Sequence, residues 1–399
     1  MKILVLSFYY PPDLSAGSFR VIGLIKALMD RVCEDIQIEV ITTQPNRYRG
    51  FGAMVERNEH TNRLKIHRIK IPEHNSGMLD QVKSFIFYAY EAHKIIKNQK
   101  YDFVFATSGR LMTAALGAWI SRWKKIPLYL DIRDIFVDTI KGIFPKKFTI
   151  ILIPFFSIIE RFTIRRAIHI NLVSPGFEKY FIGRYPKKSF SYYMNGIDEE
   201  FISNHNSHLG KLVLRKEMSV APIRILYAGN IGEGQGLHKI VPMLAKKLGR
   251  RVTIRLIGGG GRLKDLQSTL ILMDVNNVEV VPPKARVDLI REYKSADILF
   301  LHLNNYEAFE KVLPSKIFEY AALGKPILAG VSGYAAQFLT QEVPNSAIFT
   351  PCNVDGAIEA FEGLLIQDIK REKFIGKYLR KNIMNMLAED MVRRFERKP

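Results

Sequence analysis

IRILYAGNIGEGQGLHKIVPMLAKKLGRRVTIRLIGGGGR, residues 223–262, contains the same strand–glycine turn passage twice. Ile223–Ala228 is a mostly apolar run, the composition of a strand covered on both faces of a parallel sheet. It ends in Gly229-Asn230-Ile231-Gly232-Glu233-Gly234-Gln235-Gly236, and a helical period follows over Leu237–Leu248. Val252–Ile257 then repeats the strand and Gly258–Gly261 the turn. Downstream, the pattern predicts helix at Leu263–Met273, strand at Val278–Val281, helix at Val287–Ser295 and strand at Ile298–His302. Lys316–Leu323, Pro326–Ala329, Ser346–Thr350 and Ala357–Ile366 continue it. Strands that alternate with helices of this length read as parallel βαβ units.

The chain upstream obeys the same rule. Lys2–Phe8, Ile36–Thr42, Leu64–Ile69, Phe103–Thr107, Leu128–Asp131 and Ile168–Ser174 read as strands, with helices at Ser18–Asp30, Gln81–Asn98 and Arg110–Trp123. The rhythm loosens over residues 185–223, where the polar stretch Ser203–His208 lies. At 399 residues one hydrophobic core is too few. The expected architecture is α/β: two Rossmann-like doubly wound domains facing each other across a cleft. Their expected spans are 1–205 and 206–375, with a basic helix over 376–399 packing back on the body.

A net charge of +20, spread over both halves, suits anionic partners such as diphosphates or lipid headgroups, and equally a solvated surface. Nucleic acid is not expected, because no zinc, RRM-like or helix-turn-helix pattern accompanies the charge. Two cysteines, Cys33 and Cys352, make neither a disulfide framework nor a metal site. The first residues run into Phe8-Tyr9-Tyr10-Pro11-Pro12 and read as a buried strand, not a signal peptide. No apolar run is long enough to span a bilayer. Phe148–Ile159 (FTIILIPFFSII), interrupted by Pro154, is flanked by Lys146, Lys147, Arg161, Arg165 and Arg166. It reads either as a helix buried in the first domain or as an element lying on an anionic membrane.

The chemistry concentrates in Pro314-Ser315-Lys316-Ile317-Phe318-Glu319-Tyr320-Ala321-Ala322-Leu323-Gly324-Lys325-Pro326. A helix opening near Ser315 after a buried strand would aim its free amides at the crevice where open α/β sheets bind ligands. Lys316 is placed to neutralise a diphosphate, and Glu319, one turn on, to accept hydrogen bonds from a ribose diol. The plain alternative is a capped helix with surface charges. The turn Pro11–Gly17 has a single glycine and no G-x-G-x-x-G, which disfavours a dinucleotide-dependent dehydrogenase.

Together these segments resemble the retaining glycosyltransferases of family 4, which have the two-Rossmann-domain (GT-B) fold, and in particular bacterial polysaccharide and O-antigen transferases of N-acetyl-fucosamine type. Phe8–Pro12 with Gly17, Leu130-Asp131-Ile132-Arg133-Asp134, Val173-Ser174-Pro175, Asn195-Gly196-Ile197-Asp198, Tyr227–Gly236, Leu256–Gly261, Ser295-Ala296-Asp297 and Pro314–Pro326 carry the resemblance in order along the chain. It implies that Glu319 holds the nucleotide ribose, as the second glutamate of an E-x7-E motif. It places Lys316 with Gly229, Asn230 and Gly232 at the diphosphate, and Pro283–Arg286, with Lys284, beside the base. Gly17 would approach the diphosphate or acceptor, with Arg133 and Asp134 beside the donor sugar.

Three positions depart from the family pattern. Lys311 stands where the first motif glutamate belongs, with Glu310 one residue off register. Asn230 and Gln235 replace an Arg and a Lys, and Arg133 replaces a histidine. Lys311 and Lys316 are the compensating cations. The resemblance implies a UDP-sugar donor, retention of configuration with the departing phosphate taking the acceptor's proton, and no metal. With the cationic flanks of Phe148–Ile159, the expected acceptor is a lipid-linked saccharide at the inner face of the bacterial cytoplasmic membrane, the expected sugar an N-acetylated deoxyhexose. A UDP-sugar 2-epimerase of the same fold and a non-catalytic, degenerate transferase are the alternatives.

Overall fold

The computed structural model describes residues 1–13, 15–31, 36–45, 55–72, 78–143, 146–202 and 221–396. The chain divides into two compact units: Met1–Asn195 with Arg380–Pro399, and Gly196–Leu379.

The first unit begins β1 (Lys2–Leu6), α1 (Ala16–Arg31), β2 (Gln37–Thr43), β3 (Asn58–His60), β4 (Leu64–Ile69) and α2 (Met78–Ile96). It continues β5 (Phe103–Thr107), α3 (Leu111–Lys124), β6 (Leu128–Ile132), α4 (Phe136–Ile143), α5 (Lys146–Arg166), β7 (His169–Leu172), α6 (Glu178–Arg184) and β8 (Phe190–Ser191). Strand order is β3-β4-β2-β1-β5-β6-β7-β8, parallel except for the β3–β4 pair. Strands β1, β5 and β6 are buried on both faces because helices cover both. Ser15 caps α1, its Oγ accepting from the Ser18 amide at 3.1 Å.

The second unit contains β9 (Ile223–Asn230), α7 (Leu237–Leu248), β10 (Val252–Gly259), α8 (Leu263–Leu272), β11 (Val278–Val281), α9 (Arg286–Ser295) and β12 (Ile298–His302). Then come α10 (Lys316–Ala322), β13 (Ile327–Gly330), α11 (Gly333–Glu342), β14 (Ser346–Phe349), α12 (Val354–Glu362) and α13 (Glu372–Tyr378). Its sheet is wholly parallel in the order β11-β10-β9-β12-β13-β14. The order reverses between β9 and β12, and a doubly wound sheet opens its ligand crevice at such a reversal, beyond the carboxyl ends of the strands. Buried Arg371 donates to the carbonyls of Ala321, Lys325 and Pro344 at 2.7–3.2 Å, tying the end of α10 to the approach of β14.

The last helix, α14 (Arg380–Glu396), returns to the first unit. Its Ile383, Met384, Leu387, Ala388 and Met391 join one core with Val21, Leu24 and Leu28 of α1 and Ile3 and Val5 of β1.

Several expectations need correction. The tail is two helices, not one: backbone pairing of Leu379 with Ile197 interrupts it between α13 and α14. Pro154 does not break its segment, because α5 runs through it for 21 residues. Residues 196–202 belong to the second unit, ahead of the expected boundary, and Ser203–His208 lies outside the described residues. The short edge strand β3, too polar to stand out, was not foreseen.

Candidate active site

In the second unit the site grows from the end of β9. Gly229 has φ 152°, and a Cβ there would fall 2.5 Å from Lys316 Cε and 3.1 Å from its Nζ. The absent side chain is therefore the space through which Lys316 runs. The Lys316 ammonium lies 6.0 Å from the Tyr227 ring centroid and 5.9 Å from that of Tyr320, the outer range of cation–π attraction. The Tyr227 hydroxyl donates to the Asn230 carbonyl at 2.6 Å, and the Tyr320 hydroxyl accepts the Ala228 amide at 3.4 Å. Burial pushes the Tyr320 phenol up, so it stays neutral. A lysine is thus set against a glycine turn at the switch point of the sheet.

The turn is braced from within. Asn230 Nδ2 donates to Gln235 Oε1 at 2.8 Å, and a Cβ at Gly232 would fall 2.4 Å from that nitrogen. Asn230 and Gln235, read as missing cations, therefore bond to each other. α10 starts at Lys316, as expected, with Ser315 at its N-cap, and is seven residues long. In so short a helix the Lys316 ammonium is the larger positive charge.

Glu319 lies in the field of Arg286, which pairs with Asp198 and, at 2.6 Å, with Glu200. Burial works against the Arg286 charge, but Asp198 and Glu319 outweigh it and hold its pKa above the ordinary value. Its guanidinium also stacks 5.0 Å over Phe201. Lys284, expected beside the base, pairs with Glu292, which Arg255 shares at 3.3 Å. Lys311 closes the turn Glu307–Lys311 and reaches Glu307 at 3.6 Å, while Glu310 is exposed.

Two residues outside the expected set brace the turn. Glu233 gathers Arg262 at 2.5 Å, the Tyr306 hydroxyl at 2.6 Å, Asn304 Nδ2 at 3.1 Å and Lys239 at 3.6 Å. Burial alone would raise its pKa, yet the Tyr306 and Arg262 contacts hold it below the usual carboxylate value. His302, at the end of β12, is buried. Its Nε2 accepts the Cys352 amide at 3.0 Å, so Nδ1 carries the proton and donates to the Gln235 carbonyl at 2.7 Å. Burial pushes this imidazole down to about 4, so a neutral ring locks the glycine turn to the loop after β14. The only trace of this in the sequence is a histidine ending an apolar strand.

The first unit has its own constellation. Arg133 lies against the start of α1: a Cβ at Gly17 would fall 2.1 Å from its Nη1. Burial lowers its pKa to about 10, partly offset by Asp131 and Asp134. Its buried Nε finds no acceptor among the described residues. Asp134 is exposed. Asp131, in the same motif, has a different task. Buried Arg20 grips it bidentately at 2.9 and 2.8 Å and also donates to the carbonyls of Tyr193 and Met194 at 2.8 and 2.6 Å. Asn171 Nδ2 completes the carboxylate at 2.8 Å.

The profile of the family "Glycosyl transferases group 1" matches residues 216–381. No curated protein sequence matches the chain. Among solved structures, sucrose-phosphate synthase from Thermosynechococcus elongatus superposes with TM-score 0.74 at 12% identity, covering 100% of both chains. HepE of Anabaena, solved in complex with UDP and glucose, gives 0.65 at 17% identity over 98% of this chain and 99% of its own. WaaG, a glycosyltransferase involved in lipopolysaccharide biosynthesis, gives 0.65 at 12% over 98% and 95%. Residues 216–381 thus match a group 1 glycosyltransferase domain, and the chain shares the two-Rossmann-domain (GT-B) fold of these solved structures.

Proposed function

We propose that the protein transfers a sugar, with retention of configuration, from a nucleotide-sugar to a lipid-linked saccharide during bacterial surface polysaccharide synthesis. The observation that carries this reading is the Lys316 ammonium lying along Gly229 at the β9–β12 switch point. Breaking the anomeric C–O bond leaves negative charge on the diphosphate, and a fixed cation among backbone amides stabilises that charge as it grows. Lys316 with the Gly229–Gly232 amides takes this role, and Glu319 accepts the ribose hydroxyls. Arg133 and Asp134 serve the sugar in this reading, Arg133 as a fixed cation. Lys311 adds a second cation, and Lys284 borders the base. The departing phosphate takes the proton of the acceptor hydroxyl as the new bond forms. UDP and an N-acetylated deoxyhexose are the proposed donor parts. HepE, solved with UDP, supports the base.

For the acceptor, the support is α5. Phe148, Ile151, Phe155, Ile158 and Phe162 recur at helical spacing and are all exposed, Ile151 at 74%. Lys147, Arg161 and Arg165 are exposed on the same helix. An apolar stripe bordered by cations seats a helix in the headgroup region of an anionic bilayer, here the inner face of the cytoplasmic membrane.

The test is nucleotide release by purified protein from a panel of nucleotide-sugars, with and without lipid-linked acceptor. The reading expects UDP release that the acceptor stimulates, that EDTA leaves unchanged, and that Lys316→Ala cuts about 10²–10³-fold. Near-normal turnover in that variant removes Lys316 from the site. Interconversion of the donor without acceptor identifies an epimerase instead.

A further inference from the structure

Beside α5 the first unit carries a second apolar surface. Helix α3 packs close on β5, where a Cβ at Gly117 would fall 2.6 Å from Ala106 Cβ and 3.6 Å from Leu6 Cδ1. It touches α5 through Arg166, which donates to the carbonyls of Ser121 and Ile126. It touches α2 through His93, whose ring lies 5.4 Å from Trp119 and 4.8 Å from Trp123. Those two are the chain's only tryptophans. They stack with centroids 5.4 Å apart, each 41% exposed. On α2, Val82, Ile86 and Tyr90 recur every four residues and are exposed, Ile86 at 61%.

We propose that this α2–α3 ridge rests on an anionic phospholipid surface, with Trp119 and Trp123 at the level of the headgroups. The inference rests on the membrane reading of α5 and extends it to a neighbouring pair of helices. Contiguous exposed apolar side chains mark a surface that something covers. Tryptophan and tyrosine, apolar bodies with one polar edge, collect where hydrocarbon meets water.

Charge selects the occupant. Lys94 Nζ, which also pairs with Glu91 at 2.9 Å, sits 4.3 Å over the Tyr90 ring, and Lys124 Nζ sits 4.6 Å over Trp123. Arg122 adds a cation to the last turn of α3, and Lys125 follows the helix. At that end of α3 a cavity of about 440 Å³ is lined by Lys2, Lys100 and Lys124 around Tyr101, with Asp102 in its wall and Glu39 paired with Lys2 at 2.9 Å. Lysines around an aromatic ridge match phosphodiester headgroups, which gather such side chains electrostatically.

Because no other tryptophan exists in the chain, its emission reads the ridge directly. The intact protein is floated with phosphatidylcholine vesicles containing phosphatidylglycerol, and its emission is followed with lipids brominated on the acyl chains. The proposal expects a blue shift, quenching by the brominated lipid, and roughly tenfold weaker partitioning of the Ile86→Ser/Tyr90→Ser variant. Both substituted side chains are exposed, and an unchanged thermal midpoint verifies the fold. Ile151→Ser/Ile158→Ser on α5 is the companion variant. Flotation with unshifted, unquenched tryptophans overturns the ridge and leaves the α5 reading standing. Absence of flotation overturns both. A lipid-free dimer that Ile86→Ser/Tyr90→Ser dissolves overturns the proposal in favour of self-association.

Discussion

Lys316 can lie along the end of β9 only while position 229 has no side chain. Gly229→Ala would place a methyl 2.5 Å from Lys316 Cε at a φ of 152°, where alanine is strained. It should cost about 1–3 kcal/mol of stability and push the ammonium aside, so turnover should fall with Lys316 still present. Unchanged stability and turnover would show that the lysine does not need this path. Asp131 makes the opposite kind of case. Its motif resembles a substrate site, yet its carboxylate is consumed by Arg20 and Asn171 in the interior. Asp131→Ala leaves the Arg20 charge buried and uncompensated, a loss of about 3–5 kcal/mol visible in urea unfolding. Arg133→Ala, two residues on, should spare stability and reduce turnover. The contrast explains what a sequence hides at this scale. Lys316 and Glu319 stand out because a strand, a loop and a helix start surround them locally. Arg20 and Asp131 are 111 positions apart, and nothing in either neighbourhood announces the pairing. Glu233, with partners at 239, 262, 304 and 306, is hidden for the same reason.

Among the elements, α14 shows how a short helix can decide a core. Leu387 is fully buried among residues of α1 and β1. Leu387→Ala should therefore cost the first unit about 2–5 kcal/mol. Both tryptophans lie on α3 of that unit, so urea unfolding followed by their emission reports it separately from the second unit. A variant that shifts only the far-ultraviolet transition would contradict this packing. The elements themselves were largely legible, because buried parallel strands are apolar runs and glycine marks the turns that follow them. Ile383, Leu387 and Met391 recur every four residues, an apolar stripe whose spacing does not say which core it fills. Pro154 misled because a proline in a helix forfeits one backbone bond. It is tolerated here at an exposed position, where water reaches the backbone. On α5 the hydrophobic residues were legible and their outward direction was not, since composition records apolarity and not the side it faces.

At the scale of the molecule, acid sensitivity is shared between the two units. Buried His302 in the second and buried His169 in the first are both pushed down to about 4 by desolvation. The unfolded chain protonates these imidazoles near 6.5 and the folded chain only near 4, so stability should fall as pH drops from 6.5 to 4. Each histidine accounts for up to about 3 kcal/mol. Glu39 follows in a lower window: burial would raise its carboxyl, but His67 and Lys2 hold it down to about 2, so its contribution fades from 4.5 downward. Thermal midpoints across pH 3–8 check both windows, and a midpoint flat between 6.5 and 4 would contradict the histidine assignment. The two units also differ in how they are strung on the chain. The second is one continuous stretch, Gly196–Leu379, while the first is closed by residues synthesised after it. On the ribosome, then, the later-encoded unit is complete first, although every strand of the earlier one has already been made. The earlier-encoded sheet must wait with the α1 side of its core uncovered until Arg380–Glu396 has left the exit tunnel, a delay during which chaperones have a surface to hold.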